Sequence, residues 1–144
     1  MGGPGNLNLL FNAVILTGAK CIVETGVAYG WSSLAILNAI SINGKGRLYS
    51  VDMPYPKMGN EDFVGIVVPE VLKSNWFLIR EPDRCGLDKV INMTGGSIDL
   101  CHYDSDKSRV GRSISYPILW DSLRSGGLFI SDDIGDNLFF AEFV

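Results

Sequence analysis

Histidine, cysteine and clustered basic residues are scarce in this chain of 144 residues. The single histidine, His102, and three cysteines without metal-ligand spacing argue against a zinc site and against a nucleophilic triad built on histidine. The chain has 12 Lys and Arg residues against 16 Asp and Glu, a net charge of -4, and no basic patch. We therefore expect no nucleic-acid partner. Unpatterned cysteines are typical of a reducing compartment.

Long apolar segments are also missing. No apolar run reaches the roughly 18 residues that cross a bilayer, and no basic region precedes the first apolar stretch, as it would in a secretory signal. We expect a cytoplasmic protein that does not bind membranes. At 47% hydrophobic and 19% charged residues, the chain can bury a core, and its length fits one domain over residues 1–144.

Short β-branched runs alternate with helical patterns along the chain. We predict strands at 20–25, 47–52, 75–80, 97–104 and 126–133. We predict helices at 6–17, 32–40, 69–74, 82–93 and 109–124, with further helical residues at the end of the chain. Pro117 is expected to kink or restart the last long helix. Residues 53–66, with two prolines and two glycines, are predicted to form a loop. This order predicts a doubly wound α/β fold with a mostly parallel sheet.

The loop after the first predicted strand carries Gly26 and Gly30. Their G-x-x-x-G spacing differs from the G-x-G-x-x-G fingerprint that holds a pyrophosphate. Asp52 ends the next predicted strand, where a carboxylate can accept hydrogen bonds from both ribose hydroxyls. Together these features indicate an adenosine ligand without a pyrophosphate. The alternative is that the glycines only close a turn and that Asp52 is a solvated cap.

Acidic residues also end the fourth and fifth predicted strands, as Asp104, Asp132 and Asp133. Three oxygen ligands at neighbouring strand ends suit a hard divalent cation such as Mg²⁺. The alternative is a helix N-cap at Asp104 and a turn at the aspartate pair. Lys107 is three residues past Asp104. A metal nearby would disfavour the ammonium form of a lysine, which could then act as a general base, although a solvated surface lysine is the commoner case. We assign His102 to packing or a hydrogen bond.

Five segments then carry a resemblance to a known family. They are "VETGVAYGWSSLAIL", "LYSVD", "VPEVLKSNWFLIREPDR", "IDLCHYDSDKS" and "LRSGGLFISDDI". In this order, over roughly residues 20–140, they resemble the motifs of class I S-adenosylmethionine-dependent methyltransferases. The resemblance is strongest to the catechol-type O-methyltransferases that act on small molecules. It implies a Rossmann-like methyltransferase sheet.

The resemblance also implies roles for individual residues. Glu24 and Gly26 would shape the methionine end of the cofactor pocket, Ser32 would hold the cofactor carboxylate and Asp52 the ribose. The full set that it places at the cofactor is Glu24, Gly26, Ala28, Gly30, Ser32, Asp52, Asp83 and Asp104, with Asp83 beside the adenine. Asp104, Asp132 and Asp133 match the metal-binding positions of the metal-dependent members. Lys107 falls where those enzymes have a lysine or histidine base, so that Lys107 and Asp104 would be catalytic.

The chain departs from the family pattern in three places. It has "DSDKSR" where relatives often read D-S-x-H-x-Y, and "EPD" where they read G-D-S. The C-terminal strands 6 and 7 of the family fold have no counterpart, which would leave strand 5 as an exposed edge that a second copy of the chain could pair with.

The function expected from these patterns is metal-assisted methyl transfer from S-adenosylmethionine to a hydroxyl oxygen of a small molecule, with residues 53–66 as a lid. One alternative is a non-catalytic or truncated cofactor-binding domain that acts through a partner. A nicotinamide-dependent oxidoreductase is disfavoured because the third glycine is missing.

Overall fold

Five parallel strands form the centre of the structure, a computed structural model that describes residues 6–53 and 59–144. The strands are β1 (Cys21–Thr25), β2 (Arg47–Val51), β3 (Trp76–Ile79), β4 (Ile98–Tyr103) and β5 (Leu123–Ser131). Their order in the sheet is β3-β2-β1-β4-β5. The chain therefore adds β2 and β3 on one side of β1, and it then crosses to the other side of β1 to add β4 and β5. The parallel α/β class predicted from the sequence is confirmed.

Helices cover both faces of this sheet. They are α1 (Leu7–Thr17), α2 (Trp31–Asn43), α3 (Asp83–Thr94), α4 (Arg109–Ser122) and α5 (Phe139–Phe143). Residues from α1 and α2 share one buried cluster with Ile22 and Leu48. Residues from α3 and α4 share a second cluster with Val23 and Val51. Because successive strand residues point to opposite faces, neighbours such as Ile22 and Val23 fill both cores, which explains why the strands read as continuous apolar runs.

Several predicted boundaries differ from the structure. The helix predicted at 69–74 is a 3₁₀ helix, Glu70–Asn75, and the loop predicted at 53–66 contains a second one, Glu61–Phe63. The remainder of that loop includes residues 54–58, which lie outside the described part of the chain. Pro117 neither ends nor restarts α4, which runs through it as one helix. The helix is held by its packing, since Tyr116 and Leu119 on either side of the proline are fully buried.

Strand β5 begins earlier than predicted and forms one edge of the sheet. It pairs with β4, with a register shift between Ile98 and Leu100. Among the described residues no strand follows β5, as expected from the missing counterparts of strands 6 and 7. An aromatic cluster of Tyr116, Trp120, Phe129 and Phe143 links α4 and α5 to β5. None of the described helices is both long enough and apolar enough to span a membrane.

Candidate functional site

A cavity of about 1050 Å³ opens at the carboxyl ends of the strands. In an open parallel sheet, ligands bind at this edge beside the point where the strand order reverses, which here lies between β1 and β4. The volume is at the upper end of small-molecule sites. The predicted site residues on its wall are Gly26, Ala28, Ser32, Asp52, Asp83, Asp104, Lys107 and Asp132. Glu24, Gly30 and Asp133 are not among the described residues that line it.

The loop from Gly26 to Gly30 has a left-handed backbone at both glycines, with φ of 81° and 94°. A Cβ atom at Gly26 would lie 2.6 Å from the carbonyl carbon of Asp104. A Cβ atom at Gly30 would lie 2.8 Å from the Cα atom of Gly65. Each glycine therefore allows another backbone segment to touch the loop, and its φ angle also disfavours any other residue. The G-x-x-x-G spacing reflects these two close backbone approaches.

Asp52 holds this loop from the end of β2. Its Oδ2 atom accepts hydrogen bonds from the backbone amides of Val27 at 2.6 Å and Ala28 at 2.8 Å. Asp52 as a whole is 9% exposed, and it lies on the cavity wall. Its Oδ1 atom accepts no hydrogen bond from the parts of the chain that the structure describes. Asp52 therefore shapes the loop with one oxygen and has the other available for a ligand.

Glu24 lies beneath the loop and is fully buried. Its Oε2 atom accepts hydrogen bonds from Ser33 Oγ at 2.5 Å and Ser50 Oγ at 2.8 Å. Trp76 in turn donates from Nε1 to Ser50 Oγ. Glu24 thus ties β1 to β2 and to the first turn of α2. The resemblance implied that Glu24 would shape the cofactor pocket, and it did not indicate that the partners of Glu24 would be serines on two other elements.

Asp83 begins α3 and accepts hydrogen bonds from the hydroxyl groups of Ser105 and Ser115. Burial raises the pKa of this carboxyl group above its usual value, and the two hydroxyl groups only partly offset that effect. Asp83 therefore joins α3 to α4 and to the loop after β4 while still lining the cavity. The two serines carried no recognisable signal in the sequence.

Lys107 contacts two of the predicted metal-site carboxylates. Its ammonium group donates a hydrogen bond to Asp104 Oδ1, and it lies 3.5 Å from Asp133 Oδ2. Burial raises the pKa of the Asp104 carboxyl group, while Lys107 acts in the opposite direction and Asp132 adds to the increase. The structure therefore groups the Lys107 side chain with Asp104 and Asp133.

Three groups with metal-binding atoms meet at the ends of β4 and β5. One ligand atom each from His102, Asp104 and Asp132 lies within 4.8 Å of the others. Asp104 and Asp132 belong to the set predicted from the sequence. Asp133 does not join this group and instead faces Lys107, with a left-handed backbone at φ 49°. The third member of the group is His102, for which the sequence predicted packing or a hydrogen bond.

The turn at Asp132 and Asp133 is held by a residue that the sequence analysis missed. Arg112 of α4 is fully buried, and its Nη2 atom donates hydrogen bonds to the backbone oxygens of Asp132 at 3.3 Å and Asp133 at 2.7 Å. Its Nη1 atom also lies 3.5 Å from Asn137 Oδ1. A signal existed, because Arg112 falls on the same helical face as Ser115, Tyr116 and Leu119, and an arginine among buried positions implies acceptors.

Several solved structures share this fold. A candidate O-methyltransferase from Klebsiella pneumoniae superimposes with a TM-score of 0.74 at 20% identity, covering 100% of this chain and 60% of its own. An O-methyltransferase from Bacillus cereus in complex with SAH gives 0.72 at 17% identity, covering 94% of this chain and 59% of its own. The MycE methyltransferase of the mycinamycin pathway, in complex with Mg, SAH and mycinamycin VI, gives 0.58 at 20% identity, covering 81% of this chain and 30% of its own.

These likenesses establish the fold, and the chain spans less than two thirds of the length of each of these structures. No curated protein matches the sequence. A family profile described as a methyltransferase domain matches residues 23–134, which include the last three residues of β1, all of β2 to β5 and every predicted site residue. Since this match covers well over half of the 144 residues, the chain belongs to the methyltransferase domain family.

Proposed function

We propose that this chain binds S-adenosylmethionine and supports transfer of its methyl group to a hydroxyl oxygen of a small molecule. The observation that carries the proposal is Asp52, which holds the β1–α2 loop with one carboxylate oxygen and lies on the wall of the cavity at the switch point. Family membership and a fold shared with an SAH-bound O-methyltransferase support it.

The cofactor would lie along the loop between Gly26 and Ser32. Asp52 Oδ1 would accept hydrogen bonds from the ribose hydroxyls. Ser32 lies in the first turn of α2, which contains no acidic residue, so the positive end of the helix dipole favours the cofactor carboxylate there. Asp83 would lie on the adenine side. Glu24 would support the loop from below through Ser33 and Ser50.

The reaction would take place beside Asp104 and Lys107. S-adenosylmethionine, when bound, supplies the methyl group. In its amine form, Lys107 would accept the proton of the acceptor hydroxyl. The freed oxygen pair would form a bond to the methyl carbon, and the carbon–sulfur bond would break with its electrons left on sulfur. Much of the rate would come from holding the acceptor in line, as the cavity wall can do.

A divalent cation fits the same part of the cavity. Asp104 and Asp132 each offer a carboxylate oxygen, the ligand type that Mg²⁺ prefers, and these atoms lie within 4.8 Å of one another. The MycE structure, which shares this fold, contains Mg. A cation held by these residues would lower the pKa of the acceptor hydroxyl. Asp133 would not bind the cation and would instead contact Lys107.

Calorimetric titration with S-adenosylhomocysteine tests cofactor binding directly. We expect saturable binding with one site per chain, and no thermal shift with NAD. Absence of S-adenosylhomocysteine binding with and without Mg²⁺ would refute the proposal, and stabilisation by NAD alone would point to an oxidoreductase instead.

Methyl transfer from radiolabelled S-adenosylmethionine to a panel of catechols and other hydroxylated acceptors tests the chemistry. Lys107→Met should lower the turnover at least 100-fold, the usual size of a general-base effect, while leaving S-adenosylhomocysteine affinity within about threefold. Lys73→Met is the matched control, because it replaces an exposed lysine that is distant from Lys107 in the sequence, and this variant should behave as wild type. Normal cofactor binding without transfer to any acceptor would favour a non-catalytic domain.

A further inference from the structure

Two buried polar atoms, one on Glu24 of β1 and one on His102 of the neighbouring strand β4, lie close to each other. His102 is 4% exposed and Glu24 is fully buried, and His102 Nδ1 lies 3.7 Å from Glu24 Oε1. Neither atom has a hydrogen-bond partner among the described residues. No Lys or Arg in the described ranges pairs with Glu24. Unpartnered buried polar atoms are costly, so a pair of them side by side calls for a physical reason.

The His102 side chain also lies at the cavity. His102 lines the cavity together with Asp104 and Asp132 and contributes one atom to the group within 4.8 Å. Its Nε2 atom makes no hydrogen bond to any residue that the structure describes. Lys107 engages only Oδ1 of Asp104, and the amide of Asp133 engages only Oδ1 of Asp132. His102 therefore has a ring nitrogen, and Asp104 and Asp132 each have a carboxylate oxygen, without a hydrogen bond from the described residues.

We propose that His102 Nε2, Asp104 and Asp132 bind a divalent transition-metal ion such as Mn²⁺, Fe²⁺, Co²⁺ or Zn²⁺ in preference to Mg²⁺. This inference deepens the proposed function, and it rests on that function for the role of the ion in methyl transfer. An imidazole nitrogen is a good ligand for these ions, whereas Mg²⁺ favours oxygen. His102 is thus the ligand that would favour a transition-metal ion over Mg²⁺. Asp133 is not one of the proposed ligands.

Glu24 acts as the support of this histidine. A proton on Nδ1 directed at Glu24 Oε1 leaves the Nε2 lone pair free for a metal, and it fixes the ring orientation. The hydrogen bonds from Ser33 and Ser50 occupy the other carboxylate oxygen and hold it still. The resulting line of carboxylate, imidazole and metal explains why the two unpartnered atoms lie together. A bound cation would also offset the buried negative charge of Glu24.

The decisive measurement uses Mn²⁺ and the fact that the chain has one histidine. Protein without an affinity tag is prepared with natural nitrogen and with ¹⁵N-histidine, loaded with MnCl₂, and studied by pulsed electron paramagnetic resonance. We expect a directly coordinated ¹⁴N signal that becomes a ¹⁵N signal after labelling. Failure to bind Mn²⁺, or a bound Mn²⁺ without nitrogen coupling, would overturn the inference. No substitution is needed, so loss of folding cannot confuse the result.

Metal affinities of variants provide a second test. His102→Gln should weaken Mn²⁺ binding at least tenfold and Mg²⁺ binding less than threefold, and Glu24→Gln should weaken Mn²⁺ binding about tenfold, a usual effect of losing a supporting partner. Asp136→Asn removes an exposed carboxylate just beyond the turn and should change neither. Equal losses for both ions in His102→Gln would contradict the proposal.

Titration of the same preparation with S-adenosylhomocysteine separates this inference from the proposed function. Normal S-adenosylhomocysteine binding without nitrogen coupling would overturn the metal assignment alone. Absence of S-adenosylhomocysteine binding would refute the proposed function, whatever the ion does.

Discussion

Asp52 Oδ2 lies 2.6 Å from the backbone nitrogen of Val27, so that the end of β2 holds the loop that follows β1. The carboxylate makes a second hydrogen bond to the amide of Ala28, which has a left-handed backbone at φ 47°. The two amides point at one oxygen, as in a small anion-binding turn, and here the bound anion is the Asp52 carboxylate. A side chain that holds the loop and faces the cavity couples loop geometry to ligand binding.

Replacing Asp52 should therefore affect stability and cofactor binding together. Asp52→Ala removes two hydrogen bonds to a charged acceptor, and we expect it to lower the free energy of unfolding by about 2–3 kcal/mol. We also expect at least tenfold weaker S-adenosylhomocysteine binding by calorimetry. Asp88→Ala, at an exposed acid on α3, is the control for both measurements. An Asp52→Ala variant that is less stable but binds normally would restrict Asp52 to a structural role.

Gly26 should tolerate no larger residue, because the loop touches the backbone of Asp104. Gly26→Ala combines a strained φ with a Cβ atom 2.6 Å from a carbonyl carbon. Gly18→Ala is the matched control, since its φ is 61° but nothing lies within 4 Å of the added Cβ atom. We expect Gly18→Ala to cost about 1 kcal/mol from backbone conformation alone and Gly26→Ala clearly more in urea unfolding. Equal losses would mean that the contact with Asp104 is unimportant.

The sequence predicted the fold, and it named many of the residues that line the cavity, because those signals are local. Alternating strands and helices implied the parallel sheet, and Asp52 was recognised from its position at a strand end. Contacts that depend on the register between distant elements were not predictable. The shift between Ile98 and Leu100 sets how β5 lies beside β4 and hence how Asp132 approaches His102 and Asp104. For the same reason Asp133, adjacent to Asp132 in the chain, could not be distinguished from it.

Asp99 should contribute to stability at neutral pH and lose that contribution in acid. It accepts hydrogen bonds from Arg124 and from the amides of Lys20 and Cys21 at 2.7 and 2.8 Å. Partial burial opposes ionisation, but these three donors outweigh it and hold the pKa of Asp99 below its usual value. The contribution is therefore present above the unfolded pKa, near ~3.9, and is lost as the pH falls through the lower folded value.

Thermal unfolding of Asp99→Asn across pH tests this linkage. At pH 7 we expect the Tm to fall by about 3 °C, and the difference from wild type to shrink below about pH 4 as the native carboxylate is protonated. Asp121→Asn, at an exposed residue, should follow the wild-type curve at every pH. A difference that stays constant down to pH 3 would show that the charge of Asp99 is not responsible.

Replacing Arg112 should destabilise the fold, although this side chain does not line the cavity. Its buried guanidinium group supplies donors to the carbonyl oxygens of Asp132 and Asp133, so Arg112→Met leaves both acceptors without those bonds and removes the link between α4 and the turn. We expect the free energy of unfolding to fall by about 3 kcal/mol or more, because two hydrogen bonds from a charged donor are lost. Mn²⁺ affinity should fall as well, because Asp132 loses its fixed position.

Arg109→Met provides the comparison within the same helix. Arg109 is exposed and pairs with Glu142, and exposed ion pairs contribute little, so its loss should leave the urea midpoint nearly unchanged. Arg112→Lys separates charge from geometry, since one ammonium group cannot reproduce two guanidinium contacts, and it should lie between wild type and Arg112→Met. If Arg112→Met unfolds at the wild-type midpoint, the turn at Asp132 is held by its own backbone and by Asn137. The metal affinity would then have to be explained without Arg112.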